Sequence, residues 1–364
     1  MTTLYSPITA GALTLQNRFV MAPMSRNRAT ADGLATPLMA EYYAQRASAG
    51  LIISEGIQPS ITGQGFMQSP GLHHQQQAQS WRAVTTAVHQ QGGQIVAQLM
   101  HAGRIGHPSL YPSAHQSLAP SAVAAAGVAY TAQGPQPYPV PKAMSADDIQ
   151  QTIADFAHAA RLAIAAGFDG VEIHAGNGFL LHQFMADNTN LRTDQYGGSI
   201  NNRLRLTLEV TAAVCDAIGA DRTGIRLSPE NPYNDIREQD ALRVYSTLCR
   251  ELPSDLAYLH LMEAGNREMT TLLRQLWAGC LIVNPHQSAQ SGPVTPMIAS
   301  DILQQGLADA VAFGALFLAN PDLVARSKLG GPYNAVDAST FYGGGAVGYT
   351  DYPALTPATY AAVG

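Results

Sequence analysis

Short apolar runs of three to six residues recur along the chain, at 19–21, 51–54, 94–98, 170–174, 223–228, 258–262, 281–283 and 310–313. Each is mostly apolar on both faces, as strands of a parallel sheet covered by helices are. Between them lie longer stretches whose apolar positions return every three to four residues, at 37–49, 75–91, 145–166, 201–218, 238–251, 268–276, 296–305 and 321–327. Ser145 ahead of Asp147 and Asp148 marks a helix start, because a hydroxyl cap and early acids satisfy the free N–H groups there. Eight strand-then-helix units predict the α/β class and, within it, a (β/α)8 TIM barrel. A doubly wound sheet would carry a phosphate-binding glycine turn after an early strand, and none is present. The pattern predicts one domain over 1–364. Residues 101–143, rich in Pro, Ser, Ala and Tyr, follow the third strand and read as an inserted lid or small subdomain. A Gly- and Tyr-rich tail over 329–364 reads as a cap on the same face.

Composition narrows the function. Apolar types make up 46% of the chain and charged ones 13%, with a formal charge of −6, so a large core is expected. No basic run stands out, which argues against nucleic acid or an anionic membrane surface as a partner. No apolar run nears the ~18 residues a membrane span requires. Cys215, Cys249 and Cys280 form no disulfide framework, and the first residues carry no secretion signal, so a cytoplasmic protein is expected.

Three places carry candidate chemistry. His174 and Asn177 sit just past the fourth strand run, and two adjacent donors aimed at one oxygen could stabilise charge developing there. The alternative is a polar strand end with a glycine turn. Arg226 lies within the fifth run, where a guanidinium pointing into a barrel needs a partner. A negatively polarised cofactor edge or a buried ion pair would each serve. Gly343-Gly344-Gly345-Ala346-Val347-Gly348 matches G-x-G-x-x-G, but no strand precedes it and too little chain follows for a βαβ unit, so it reads as a close-approach loop. His73, His74, His101, His107 and His115 lack metal spacing and read as surface or lid histidines, so no metal is expected.

Taken together, these segments resemble the Old Yellow Enzyme family of flavin-dependent ene-reductases over nearly the whole chain. The most specific stretches are Asn17-Arg18-Phe19-Val20-Met21-Ala22-Pro23-Met24-Ser25-Arg26 and Gln98-Leu99-Met100-His101-Ala102-Gly103-Arg104. His174 to Asn177, Thr193-Asp194-Gln195-Tyr196-Gly197-Gly198-Ser199, and Phe341 to Pro353 add to them. The resemblance implies a barrel with FMN at its C-terminal mouth, reduced by NADPH or NADH and reoxidised by an activated alkene, quinone or nitro compound. It would place Pro23, Met24 and Ser25 along the flavin, Gly56 against its ring, and Gln98 and Arg226 at its pyrimidine edge. Gly292, and Gly314 with Ala315, would form the phosphate turns. His174 and Asn177 would hold the substrate oxygen, with Phe66, Met100 and Tyr349 lining its pocket. A monomer or homodimer is expected, acting on a small molecule.

The departures from that pattern fall in the site. Phe179 stands where the family's proton-donor Tyr is usual, and a phenyl ring has no proton to give. Met100 replaces an aromatic residue and Phe66 a Tyr. Ala315 replaces an Arg or Lys, removing one charge-assisted phosphate contact. Residues 284–290 read as an insertion. Two further readings follow: a flavin-assisted isomerase or specialised biosynthetic enzyme, and a barrel without FMN that only binds small molecules.

Overall fold

The computed structural model describes residues 3–111, 115–288 and 290–355. Eight parallel strands close into a barrel: β1 Phe19–Met21, β2 Leu51–Ile57, β3 Ile95–Leu99, β4 Gly170–His174, β5 Thr223–Leu227, β6 Tyr258–Met262, β7 Leu281–Asn284 and β8 Ala310–Phe313. Strand β8 pairs β1 through Val311 and Phe19, which closes the ring. Around it run α1 Pro37–Ala44, α2 Gln75–Gln90, α3 Ala146–Ala165, α4 Leu180–Met185, α5 Ile200–Ile218, α6 Ala241–Glu251, α7 Arg267–Leu276, α8 Pro296–Gln304, α9 Ala315–Ala319 and α10 Leu323–Leu329. The start read at Ser145 is a reciprocal capping box, with Ser145 Oγ accepting from the Asp148 N–H and the Asp148 carboxylate from the Ser145 N–H.

Three features escape the sequence reading. Strand β2 runs on to Ile57, with a register shift against β3 between Ile53 and Gly56. Helices α4 and α9 are short pieces of six and five residues that follow β4 and β8. A hairpin of Ile8–Ala10 and Leu13–Leu15 precedes the barrel. Its Ala10, Leu13 and Leu15 join Val20, Leu51, Val96, Ile282 and Ala310 in one buried cluster. At its turn the Ala12 N–H reaches Asp221 O at 2.8 Å, just before β5, so the hairpin plugs the N-terminal end of the barrel.

Segment 101–143 holds short 3-10 turns, a hairpin of Val128–Thr131 with Gly134–Pro137, and a small parallel pair of Leu118–Ala119 with Lys142–Ala143. Arg104 ties it to the loop after β5 by donating to the carbonyls of Asn234 and Asp235. Of the C-terminal cap, 356–364 lie outside the described residues. Among the described residues no helix is long and apolar enough to cross a membrane.

Candidate active site

Alternation along each strand sends one set of side chains out to the helices and the other into the barrel. The outward set, such as Ile52, Leu99, Ile173, Leu227, Leu261 and Phe313, is apolar and buried. The inward set is apolar only at the plugged end. Toward the C-terminal ends it turns polar, with Gln98, Glu172, His174, Arg226, His260 and Asn284 all at least 95% buried. Register aligns Glu172 with Gln98, His174 with Arg226, and Arg226 with His260, so these side chains converge at one mouth.

Glu172 is the hub. Gln98 Nε2 donates to its Oε1 at 2.8 Å, and His260 Nδ1 lies 2.8 Å from its Oε2. Each oxygen is thereby engaged, and among the described residues Arg226 forms no direct ion pair. Its Nη2 reaches only Asn284 Oδ1, at 3.4 Å, and its Nε is buried without a protein partner. Burial lowers the Arg226 pKa, and the neighbouring Glu172 carboxylate partly restores it. The sequence offered a cofactor edge or a buried ion pair as the partner of Arg226, and among the described residues there is no such ion pair.

His174 and Asn177 leave β4 side by side. Burial, then the charge of Arg226, holds the His174 pKa well below its ordinary value, so the imidazole is neutral and its Nδ1 is without a protein partner. Asn177 adopts the left-handed conformation (φ 53°), which asparagine tolerates better than most residues. Its N–H donates to Ser228 Oγ at 2.6 Å, and its carbonyl accepts from Asn234 Nδ2 at 2.7 Å.

An apolar wall flanks this pair. Phe179 is 7% exposed, edge-on to His174 with ring centroids 5.1 Å apart and to Phe66 at 6.2 Å. Met100, Ile105 and Ala125 belong to the same cluster, and Tyr138 packs against it. A Cβ at Gly56 would come within 2.8 Å of Met100 Sδ, so only glycine fits there without displacing Met100. Pro23, Met24 and Ser25 follow β1, half-buried. Met24 Sδ lies 3.8 Å from where a Gly314 Cβ would be, which brings 23–25 beside the turn after β8. Around Gly292 a Cβ would meet nothing, so its backbone is open to close approach. Ala315 opens α9, and residues 284–288 of the read insertion fold against the loop after β6, where the Gly265 N–H donates to His286 O. Residue 289 of that insertion is not among those described.

Tyr349 is a correction. Its ring is closed to a ligand, being fully buried and stacked on Tyr42 at 4.0 Å. Arg28 covers its other face at 4.2 Å and Arg46 covers Tyr42 at 3.9 Å, giving an Arg–Tyr–Tyr–Arg pile. Arg26 and Arg28 donate to carbonyls of 340–348, which ties the Gly-rich loop to the chain after β1. That loop makes the close approach read from its glycines, since a Cβ at Gly348 would lie 1.9 Å from Thr340 Oγ1. His101, the first residue of the 101–143 segment, is 2% exposed, so of the surface and lid readings the surface one does not apply to it, and its Nδ1 accepts from the Gly103 N–H. Among the described residues no group of three or more His, Cys, Asp or Glu could hold a metal ion.

Beside the pile, Glu55 accepts from the Arg26 N–H and from Tyr43 Oη, each at 3.3 Å. Burial outweighs these contacts and pushes its carboxyl up to about 7. Below the ordinary value of 4.5 the group is protonated both folded and unfolded. As pH rises from 4.5 to about 7 the unfolded chain releases this proton first, so stability falls across that window and levels off above it. Glu55→Gln cannot ionise and should lose that slope. Thermal unfolding of both proteins at pH 5, 6, 7 and 8 checks this, and parallel curves would refute it.

The sequence reading missed Glu172 and His260, which lie inside apolar runs, and Asn284, which follows directly on the seventh run and ends its strand. Strict alternation within those runs was the available signal, because it puts them on the inward face with Arg226. It also missed Ser228, which it took as the end of the fifth run although the strand stops at Leu227, and Asn234, for which a loop offers no periodicity.

The description "NADH:flavin oxidoreductase / NADH oxidase family" fits a family model that matches residues 3–334. The chain is 41% identical over 357 residues to a probable flavin mononucleotide-dependent alkene reductase of Leishmania infantum, covering 95% of this chain and 96% of that protein. Morphinone reductase in complex with tetrahydroNAD superposes with a TM-score of 0.92 at 41% identity, covering 98% of this chain and 99% of that one. The Old Yellow Enzyme homologue of Zymomonas mobilis gives 0.92 at 40% identity, covering 97% and 100%. Sequence and barrel agree: the chain belongs to the NADH:flavin oxidoreductase / NADH oxidase family, the Old Yellow Enzyme family of FMN-dependent oxidoreductases.

Proposed function

We propose that this protein uses NAD(P)H to reduce quinones and nitro compounds, and activated alkenes more slowly. The observation that carries the reading is the neutral His174 beside a clamped Asn177, with Phe179 as the ring next to them. The residues present fit FMN. Arg226 Nε, His174 Nδ1 and His260 Nε2 are buried polar atoms without protein partners, and the backbone at Gly292 is open. Pro23, Met24, Ser25 and Gly56 would flank the flavin, Gln98 and Arg226 would bind its pyrimidine edge, and Gly292, Gly314 and Ala315 would meet its phosphate. When bound, FMN supplies hydride chemistry between the nicotinamide and the acceptor.

The chain's own residues do the rest. Arg226 opposes negative charge that builds near it, and its burial makes that effect larger than in water. His174 and Asn177 bind the acceptor oxygen and stabilise charge growing there. Phe66, Met100 and Phe179 exclude water from the acceptor's apolar body. None of these three side chains supplies a proton to carbon. Quinone and nitro oxygens take theirs from solvent, whereas an alkene needs one on carbon.

Absorbance of the purified protein, with and without added FMN, tests the reading. A yellow protein bleached anaerobically by NADH or NADPH supports it, and a protein that stays colourless through an FMN titration refutes it. The second reading, a flavin-assisted isomerase, is favoured by Phe179 alone. Its sign would be migration of a double bond without net NAD(P)H consumption. The unpartnered Arg226 Nε weighs against a barrel that has dispensed with FMN.

A further inference from the structure

The second oxygen donor is oriented by the loop after β5. Asn231 is 1% exposed. The Tyr233 N–H donates to Asn231 Oδ1 at 3.0 Å, which identifies that atom as the oxygen and turns the amide nitrogen the other way. Asn231 Nδ2 then donates to Asn177 Oδ1 at 3.4 Å. With its Oδ1 engaged on the loop side, Asn177 presents Nδ2 as its remaining side-chain group. The Asn177 backbone is pinned independently by Ser228 and Asn234, so the amide orientation is the freedom that Asn231 removes.

We infer that Asn231 is a positioning residue that fixes the Asn177 amide with its N–H donors toward the acceptor oxygen. The inference rests on the proposed role of Asn177 as an oxyanion donor. An Asn177 amide turned by 180° would aim a carbonyl oxygen at that charge and repel it. Asn231 therefore acts through Asn177 and touches no substrate itself.

The two atoms at position 231 have different jobs, which gives the test its signature. In Asn231→Asp the Tyr233 N–H keeps its acceptor, but the other oxygen now demands a donor. The Asn177 NH2 would turn toward it. In Asn231→Ala the amide loses its guide but is not driven the wrong way. The probe is p-chlorophenol binding to the FMN-loaded protein, followed by the change in flavin absorbance.

Asn231→Asp should weaken binding about 10- to 100-fold, the scale of one hydrogen bond to a charged group. Asn231→Ala should lose only a few-fold, and the flavin spectrum without phenol should be unchanged in both. Combined with Asn177→Ala, the Asp change should add almost nothing, because both act on one contact. Native-like binding by Asn231→Asp, an equal loss in the Asp and Ala variants, or full additivity with Asn177→Ala would each overturn the inference. A native protein that holds FMN yet binds no phenol would instead overturn the oxyanion-donor reading, and this inference with it.

Discussion

Replacing Phe179 with Tyr should raise cyclohexenone reduction by about 10²–10⁴, the usual worth of a placed general acid, and leave quinone reduction nearly unchanged. Phe179 is already seated between His174 and Phe66, so the variant adds one hydroxyl to a ring whose position is set. The hydroxyl needs a hydrogen-bonding partner or solvent, and the 7% exposure of Phe179 shows that the ring is not completely enclosed. In the native protein quinone turnover should exceed enone turnover. NADPH oxidation with cyclohexenone and with a quinone, measured anaerobically for both proteins, reads the effect. Equal native rates with both acceptors, unaltered in Phe179→Tyr, would make position 179 a packing residue and place the proton source elsewhere.

His174→Ala and Asn177→Ala should each lower turnover by about 10²–10³, the usual cost of one oxyanion donor, and weaken phenol binding in parallel. The pH dependence carries a further mark. Burial and Arg226 keep His174 neutral well below its ordinary titration range, so native turnover should show no ionisation of this residue near pH 6.5. Phenol affinity and kcat across pH 5.5–8 check both points. Variants with native affinity and rate would reduce the pair to a strand terminus.

The barrel was legible because its strands obey one rule. Each is a short apolar run followed by an amphipathic helix, and all eight runs became barrel strands. Helix α4 was not legible, since all six of its residues are buried, His182 and Gln183 included, and no polar stripe marks it. His174, Asn177 and Arg226 could be singled out as polar residues at or just past strand ends. Their restraints could not, because Ser228 and Asn231 act on Asn177 from more than fifty residues away. Tyr349 was misplaced for a related reason. A Tyr in a Gly-rich tail looks available to a ligand, and only the folded chain brings Tyr42 and Arg28 onto its two faces.

The hairpin of Ile8–Ala10 and Leu13–Leu15 packs Ala10, Leu13 and Leu15 into the barrel at the end away from His174 and Arg226. Above it Val20, Val96, Ile282 and Ala310 fill the interior, so on the proposed function reductant and acceptor would both come to the opposite end, where His174 and Asn177 sit. On that proposal the two would take turns at the mouth where Gln98, Glu172, His174, Arg226 and His260 converge. A surplus of either reactant would then keep the other waiting outside.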